Sequence, residues 1–332
     1  MKAMQLNAFG DGYDFVQAEI DRPEPMPGEV LVRVVGSSFN PIDNKIATLG
    51  DQLGFAPQLP AVLGMDVSGV VEEVGSGMSR FQPGDRVYGC AGGLGAIQGA
   101  LAEFMVADER LIALAPRCME LADAAALPLV SITAWLGLFS KAGIKPGESL
   151  LVQGGAGGVG HMVVQLGNDI GARVHATVSG DLKAAIVESL GGTPINYHET
   201  GVSQYVADTT YGEGFHVVYD TVGGTTLDAS FHAAANEGAV VTTVSRSTHD
   251  LSIMHAKSLS LHVVFMLLPL ITREGRTLYS QILGEVASLV DSDRIAVLLD
   301  EERFDYTDIG HAHQYWASGR SLGKIVLDVP AE

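Results

Sequence analysis

Apolar and polar positions follow two regimes along this chain, and the change falls near Leu121. Before it, short apolar runs are broken by glycine and proline. Val30–Val35 predicts a strand opened by the turn Pro27-Gly28-Glu29, and Val67–Val74 predicts another, closed by Gly75-Ser76-Gly77. Pro83-Gly84-Asp85 leads into a third strand at Arg86-Val87-Tyr88, and Ala102–Val106 predicts a fourth. Short strands at regular spacing, punctuated in this way, predict a small β-barrel. Asp123–Leu127 and Thr133–Ala142 are helical in composition, with Pro128 breaking the run. From Gly147 onward strand and helix patterns alternate. Strands are expected at Ser149–Gln153, Arg173–Val178, Pro194–Tyr197, His216–Tyr219, Ala239–Val244 and Leu259–Phe265. That alternation predicts a parallel sheet with helices on both faces. Thr277–Val290 reads as a further helix, and the tail from Ile295 to Val329 returns to β character around a helix at Ile309–Ala317. A β-rich part, an alternating part and a mixed tail imply one domain inserted into another.

The alternating part opens on its most informative stretch. The apolar run Ser149-Leu150-Leu151-Val152 precedes Gln153-Gly154-Gly155-Ala156-Gly157-Gly158-Val159-Gly160, and His161–Gly167 follows at helical spacing. Gly155, Gly157 and Gly160 fit G-x-G-x-x-G in the strand–turn–helix context that a dinucleotide fingerprint requires. Such a turn lets backbone approach a pyrophosphate and aims a helix N-terminus at it. A nucleotide P-loop needs a lysine and a hydroxyl after its last glycine, and this chain has His161 and Met162 there.

Composition narrows the partners. Among 332 residues, 47% are hydrophobic and 18% charged, which describes a globular chain with room for two domains. A formal charge of −19 disfavours nucleic acid and anionic membrane as partners, and obliges any phosphate site to gather positive charge locally. Cys90 and Cys118 are too few for a disulfide framework or a four-thiolate zinc site. Met1–Leu6 lacks the apolar core of a signal peptide, and the longest apolar run, Val263–Ile271, contains Pro269 and is half a membrane span. The expected compartment is the cytoplasm.

Eight segments in order then carry a family resemblance: Pro27–Val32, Asn40-Pro41-Ile42-Asp43, Leu63–Val71, Pro83–Val87, Leu127–Leu129 with Thr133-Ala134, the glycine turn, Val217–Gly224, and Gly323-Lys324-Ile325-Val326-Leu327. In these the chain resembles the zinc-free quinone oxidoreductase branch of the medium-chain dehydrogenase/reductase superfamily. The resemblance implies an α/β protein. A GroES-like β-barrel catalytic domain (1–122, completed by 268–332) would join a Rossmann doubly wound parallel sheet domain (123–267), with the cofactor in the cleft between them. It also implies a homodimer joined through the last strands of the Rossmann sheets. The apolar run Leu259–Phe265 is a hazard if left as a bare edge.

Zinc enzymes of the superfamily carry a ligand cysteine where this chain has Asn40, and a His-Glu pair where it has Met65-Asp66. Thioether and carboxamide are poor zinc donors, so no metal is expected. His311 and His313, two apart in a helical stretch, are expected to be solvated or hydrogen-bonded instead.

For the cofactor, the place where NAD enzymes hold the ribose 2′-OH with a carboxylate reads Val178-Ser179-Gly180, with Lys183 one helical turn on. The resemblance assigns Ser179, Lys183 and Tyr197 to a 2′-phosphate pocket, so NADPH is expected, although Asp181 partly offsets the lysine. Thr133 is placed near the nicotinamide ribose. Gly155, Ala156, Gly157, Gly158, Val159, Gly160 and Lys324 complete the expected cofactor contacts.

Without zinc, the acceptor must itself be electrophilic. A small-molecule quinone or enone is expected, with protein donors on the developing oxyanion. Asn40 is the expected donor, with Asp43 and Lys45 beside it. Lys45 replaces a tyrosine common in the branch and serves as cation, proton donor or partner of Asp43. Two further readings stay open: an NADPH-dependent enone or alkenal double-bond reductase, and a non-enzymatic NADPH-binding module.

Overall fold

The computed structural model describes residues 1–330. The chain divides after Leu129 and again after Met266, so that the segment Val130–Met266 forms one unit and the flanking segments together form the other.

The inserted unit is built on six parallel strands. They are β1 (Ser149–Gln153), β2 (Arg173–Val178), β3 (Thr193–Asn196), β4 (Phe215–Asp220), β5 (Ala234–Thr242) and β6 (Ser260–Val263). Their order across the sheet is β3-β2-β1-β4-β5-β6. The direction of winding therefore reverses between β1 and β4, which is where open α/β sheets bind ligands beyond the strands' carboxyl ends. Helices α1 (Gly160–Asp169), α2 (Asp181–Ser189), α3 (Val202–Thr210), α4 (Thr225–Ala233) and α5 (Ser252–Lys257) follow successive strands. Every residue of β1 is buried, as a central strand covered on both faces demands. Leu151, Phe215, Val218, Leu227, Phe231 and Val240 share one core cluster, tying β1, β4, β5 and α4 together. Two strands differ in length from their sequence patterns. Hydrogen bonding starts at Ala234 in β5, past a register shift opposite β4, and stops at Val263 in β6.

The flanking unit is mainly antiparallel. Glu29–Ser38 is its long central strand, paired with Asp66–Val74, Phe104–Asp108 and, from the far end of the chain, Val326–Asp328. That last pairing, with Val326 opposite Ser38, is how the C-terminal tail rejoins the N-terminal part. Tyr88 adds a second tie by donating to the Leu283 carbonyl at 2.7 Å, in the helix Arg276–Asp291. The hairpin Lys2–Leu6 with Phe15–Glu19 carries no strong alternation and escapes a pattern-based reading.

Two helical features also go beyond the pattern. Pro41 opens a helix over Pro41–Leu49, where its missing N–H and fixed φ suit the first turn. Pro128 does the same for Pro128–Trp135, which continues as a π-helical segment, Leu136–Ala142. The stretch Leu121–Ala142 is long and apolar enough to cross a membrane by length and composition, but 78% of its apolar window is buried, as in a core helix.

Candidate functional site

The glycine turn lies at the carboxyl end of β1. It is held by side chains from the neighbouring strands. The Gly154 N–H donates to Thr177 Oγ1 at 3.0 Å, and Thr177 Oγ1 donates to Gln153 Oε1 at 2.9 Å. Thr221 Oγ1 donates to the Gln153 carbonyl at 2.7 Å, so the loop after β4 is fastened to the turn. Glycine is required by close approach. A Cβ on Gly160 would stand 2.1 Å from the Gly154 carbonyl oxygen, and one on Gly155 would stand 2.4 Å from the Ala176 Cβ. The turn thus lets α1 start directly against its own strand. No side chain caps the N-terminus of α1; the His161 N–H donates to the Gly157 carbonyl at 3.0 Å and the Met162 N–H to the Val159 carbonyl at 3.1 Å, so the amides of Gly158, Val159 and Gly160, ahead of them, are the ones open to an anion. These residues fit a dinucleotide pyrophosphate: the cradle is backbone, and a Cβ on Gly155 or Gly160 would crowd it.

The loop after β4 owes its shape to Asp220, which the sequence shows only as part of a motif. Its carboxylate, fully buried, accepts from the Val222 N–H at 2.9 Å, the Gly223 N–H at 3.0 Å and Thr242 Oγ1 at 3.1 Å. Burial pushes its pKa up, and these donors pull it back. Thr133 is buried too, and its carbonyl accepts the Tyr219 hydroxyl at 2.7 Å. It anchors β4 through its backbone.

The expected 2′-phosphate residues gather at one place. Val178 ends β2, Ser179 is half-buried, and Asp181 begins α2. The Tyr197 N–H donates to the Val178 carbonyl at 3.2 Å, which sets Tyr197, 52% exposed, beside the end of β2. Lys183 is exposed and forms no ion pair among the described residues.

In the flanking unit, Asn40, Asp43, Asp66 and Lys324 form one buried cluster, with exposures of 1, 4, 0 and 3%. Asp66 Oδ2 accepts from Asn40 Nδ2 at 2.8 Å and Ser38 Oγ at 2.9 Å, and Oδ1 accepts from the Leu129 N–H at 2.9 Å. Lys324 Nζ lies 3.7 Å from Asp66 Oδ2, donates to the Phe39 carbonyl at 2.8 Å and donates to Asn40 Oδ1. Asp43 Oδ2 accepts the Asn40 N–H at 2.9 Å, closing the start of the helix. Burial, and then Asp66, raise the Asp43 pKa to about 7, while Asn40 and Lys324 oppose the rise. Burial lowers the Lys324 pKa, against the pull of Asp66 and Asp43. Burial raises the Asp66 pKa as well, with Lys324, Asn40, Ser38 and the Leu129 N–H opposing the rise, whereas Asp43 has one backbone donor and a buried Oδ1 without a partner.

This arrangement corrects three expectations. Lys324 is enclosed by Phe39, Asn40 and Asp66, so its ammonium serves the cluster and not the cofactor. Asn40 has one of its two carboxamide N–H groups on Asp66 and its oxygen on Lys324, and it is buried, which halves its capacity as an oxyanion donor and fixes the carboxamide within the cluster. Lys45 does not pair with Asp43: two positions apart on a helix they face apart, Asp43 inward and Lys45 outward. Asp66 is the residue that reasoning about site chemistry passed over. Its partner Lys324 lies 258 positions away in the chain, beyond the reach of any local spacing.

The donor set does not suit zinc. Asn40 and Asp66 are bound to each other and to an ammonium, and Met65 is a buried thioether. No group of three or more metal-ligating side chains exists among the described residues. Of the two tail histidines, His311 is exposed, whereas His313 is buried with Nδ1 3.0 Å from Asn44 Oδ1. Burial lowers the His313 pKa to about 3.

Comparison with known proteins agrees with both units. Residues 26–117 match the alcohol dehydrogenase GroES-like domain, and residues 191–327 match a family described as zinc-binding dehydrogenase. The chain is 32% identical to a 2-methylene-furan-3-one reductase of Solanum lycopersicum, over 98% of this chain and 79% of that protein. It is 29% identical to a chloroplast envelope quinone oxidoreductase homolog of Arabidopsis thaliana, over 99% of this chain and 98% of that one. Among solved structures, an alcohol dehydrogenase superfamily protein from Novosphingobium aromaticivorans superposes with a TM-score of 0.95 at 39% identity, over 99% of this chain and 100% of that one. A mycobacterial protein solved with NADPH superposes with a TM-score of 0.86 at 30% identity, over 99% and 100%. With the reversing parallel sheet, the glycine turn and the antiparallel unit closed by the tail all in place, the chain belongs to the medium-chain dehydrogenase/reductase superfamily, among the oxidoreductases related to quinone oxidoreductases.

Proposed function

We propose that this protein is a zinc-independent oxidoreductase that uses NADPH to pass hydride to a quinone or a similarly activated carbonyl acceptor. The observation that carries the reading is the end of β2. Val178 stands where a carboxylate would select a ribose 2′-OH, and Ser179, Lys183 and Tyr197 supply hydrogen bonds and charge for a 2′-phosphate. The mycobacterial structure with NADPH supports the choice. Gly155–Gly160, which ends at the N-terminus of α1, would hold the pyrophosphate, and Thr133, bonded to Tyr219, would support the nicotinamide end. The bound nicotinamide supplies the hydride. The protein orients it, excludes water and leaves protonation of the reduced acceptor to solvent, because Asn40, Asp43 and Lys324 are enclosed in their own bonds.

Zinc independence rests on the Asn40–Asp66–Lys324 network at the metal position. A homodimer is part of the same reading. The edge strand β6 exposes Leu261 and Val263, and Phe265 beyond it is exposed too. A cytoplasmic site accords with two unbridged cysteines. The decisive assay measures kcat/KM with NADPH and NADH against quinones, alkenals and simple alcohols, before and after chelation. Quinone turnover with NADPH that survives chelation is expected. Preference for simple alcohols, or loss of activity on chelation, would overturn the proposal. The reductase from Solanum lycopersicum favours a second reading, reduction of an enone double bond. Alkenals turning over faster than quinones would select it.

A further inference from the structure

A second set of reactive side chains has no role assigned above, although His249 is near enough to Asp220 to help pull the pKa of that carboxyl down. It is made by α4 and the loop that leaves β5. Asp228 lies in α4, and Ser247 and His249 lie in the loop. His249 Nδ1 is 2.7 Å from Asp228 Oδ1, and His249 Nε2 is 2.5 Å from Ser247 Oγ. A carboxylate only accepts, so Nδ1 carries the imidazole proton. In the neutral imidazole Nε2 is then left with a lone pair, 2.5 Å from the serine hydroxyl oxygen. The imidazole is held in place. It is 9% exposed and meets Phe231 edge-on at 6.2 Å. Ser247, by contrast, is exposed.

We propose that Ser247, His249 and Asp228 form a nucleophilic triad that takes the acyl group of activated esters. The proposal does not involve a nicotinamide cofactor. The geometry is that of acyl transfer, a constellation defined by distances and roles and independent of chain order. Ser247 Oγ attacks the ester carbonyl carbon while its proton passes to His249 Nε2. Asp228 balances the imidazolium that forms. The tetrahedral adduct collapses, the bond from carbon to the leaving oxygen breaks, and His249 returns the proton to that oxygen. Water then repeats the sequence on the acyl-serine and releases the acid. Leu251, in the same loop, and Val222, in the loop after β4, are exposed apolar side chains, and a small apolar acyl group is the expected cargo. Asp228 is 46% exposed, which weakens its hold on the imidazolium. The expected substrates are therefore esters with good leaving groups, such as aryl esters.

The test uses the whole protein without added nicotinamide. Wild type is treated with a fluorophosphonate probe, digested with trypsin and read by mass spectrometry. Cleavage after Arg246 places Ser247 in the peptide Ser247–Lys257, where fragmentation separates it from Ser252. The expected result is labelling at Ser247, lost on prior heat denaturation. 4-Nitrophenyl acetate hydrolysis is expected to fall by roughly 10²–10⁴-fold in His249→Asn and to drop to background in Ser247→Ala. Folding of both variants is checked by thermal melting. If folded wild type is not labelled at Ser247, or if Ser247→Ala keeps the wild-type rate, the triad is only a brace for the loop. Because labelling is read on wild type, a variant that fails to fold does not rescue the proposal.

Discussion

The glycine turn and the buried acid cluster solve opposite problems. The turn, in the inserted unit, offers backbone to a charged ligand and therefore keeps charged side chains out: its supports are Thr177, Gln153 and Thr221. The cluster, in the flanking unit, buries an ammonium and two carboxyl groups that nothing outside them neutralises. One is made by what is missing from its residues, the other by what must be cancelled. The lesson concerns mutability. A change at the turn acts through shape and should be felt mainly by ligand and local packing. A change in the cluster leaves a charge without a partner and should be felt by the whole fold.

The largest effect is therefore expected at Lys324. Replacing Lys324 by Met leaves Asp66 buried without its cation, a loss of about 3–5 kcal/mol for a broken buried pair. Chemical denaturation should show it, and Lys324→Met combined with Asp66→Asn should recover much of the loss. If the double variant is no better than the single one, charge cancellation is not what holds Lys324. Next comes Gly160→Ala. Its Cβ meets the Gly154 carbonyl oxygen at 2.1 Å, so backbone must move, at a cost of about 1–3 kcal/mol. NADPH binding, followed by nicotinamide fluorescence, should weaken out of proportion to the loss in stability. An equal weakening of both would blur the contrast between turn and cluster.

The cluster should also write itself into the pH dependence of stability. Burial raises Asp43 to about 7 from an ordinary value of 3.8, so between these limits the folded chain binds more protons than the unfolded one. Stability from this group therefore falls as pH rises through the window. His313, lowered to about 3 by burial, acts in the opposite sense and costs stability as pH falls below 6.5. Asp43→Asn should remove the first slope and keep the second. Relative to that variant, wild type should lose at least ~1.4 kcal/mol between pH 4 and pH 8, the worth of one pKa unit. Parallel curves would mean that Asp43 is ionised throughout.

The two regions were unequally legible. Gly155, Gly157 and Gly160 announce the turn because its requirement is local: three positions within six residues, between a strand and a helix. The parallel sheet follows from the same alternation, and all six of its strands overlap apolar runs seen in the sequence. The cluster was half legible. Asn40 and Asp43 stood out by position, but the helix that begins at Pro41 turns Asp43 inward and Lys45 outward. The cation came instead from Lys324, delivered by pairing of Val326–Asp328 with Glu29–Ser38. No periodicity encodes such a meeting. Nor does any spacing announce Asp228 beside His249, because a helix and a loop 21 positions apart supply them.

The smallest effect, and the sharpest test of the turn's side of the contrast, is at Lys183. It stands in the first turn of α2, next to a β2 end that carries no carboxylate, and it is exposed. A charged hydrogen bond to a 2′-phosphate is worth about 1.5–3 kcal/mol at full strength. Solvent screening at an exposed position brings Lys183→Ala toward the lower end, about a tenfold rise in the NADPH Michaelis constant. NADH has no group for this lysine, so its constant should stay within about twofold. The difference between cofactors should shrink at high salt, because the interaction is screened where Asp66 and Lys324 are not. Val178→Asp should push preference further toward NADH, by setting a carboxylate against the phosphate. Kinetics with both cofactors and one quinone, at low and high salt, decide the matter. If Lys183→Ala weakens both cofactors equally, the lysine supports α2 or the shared part of the dinucleotide. If wild type already prefers NADH, the charge of Asp181 outweighs that of Lys183, and the pocket at the end of β2 selects a free 2′-hydroxyl.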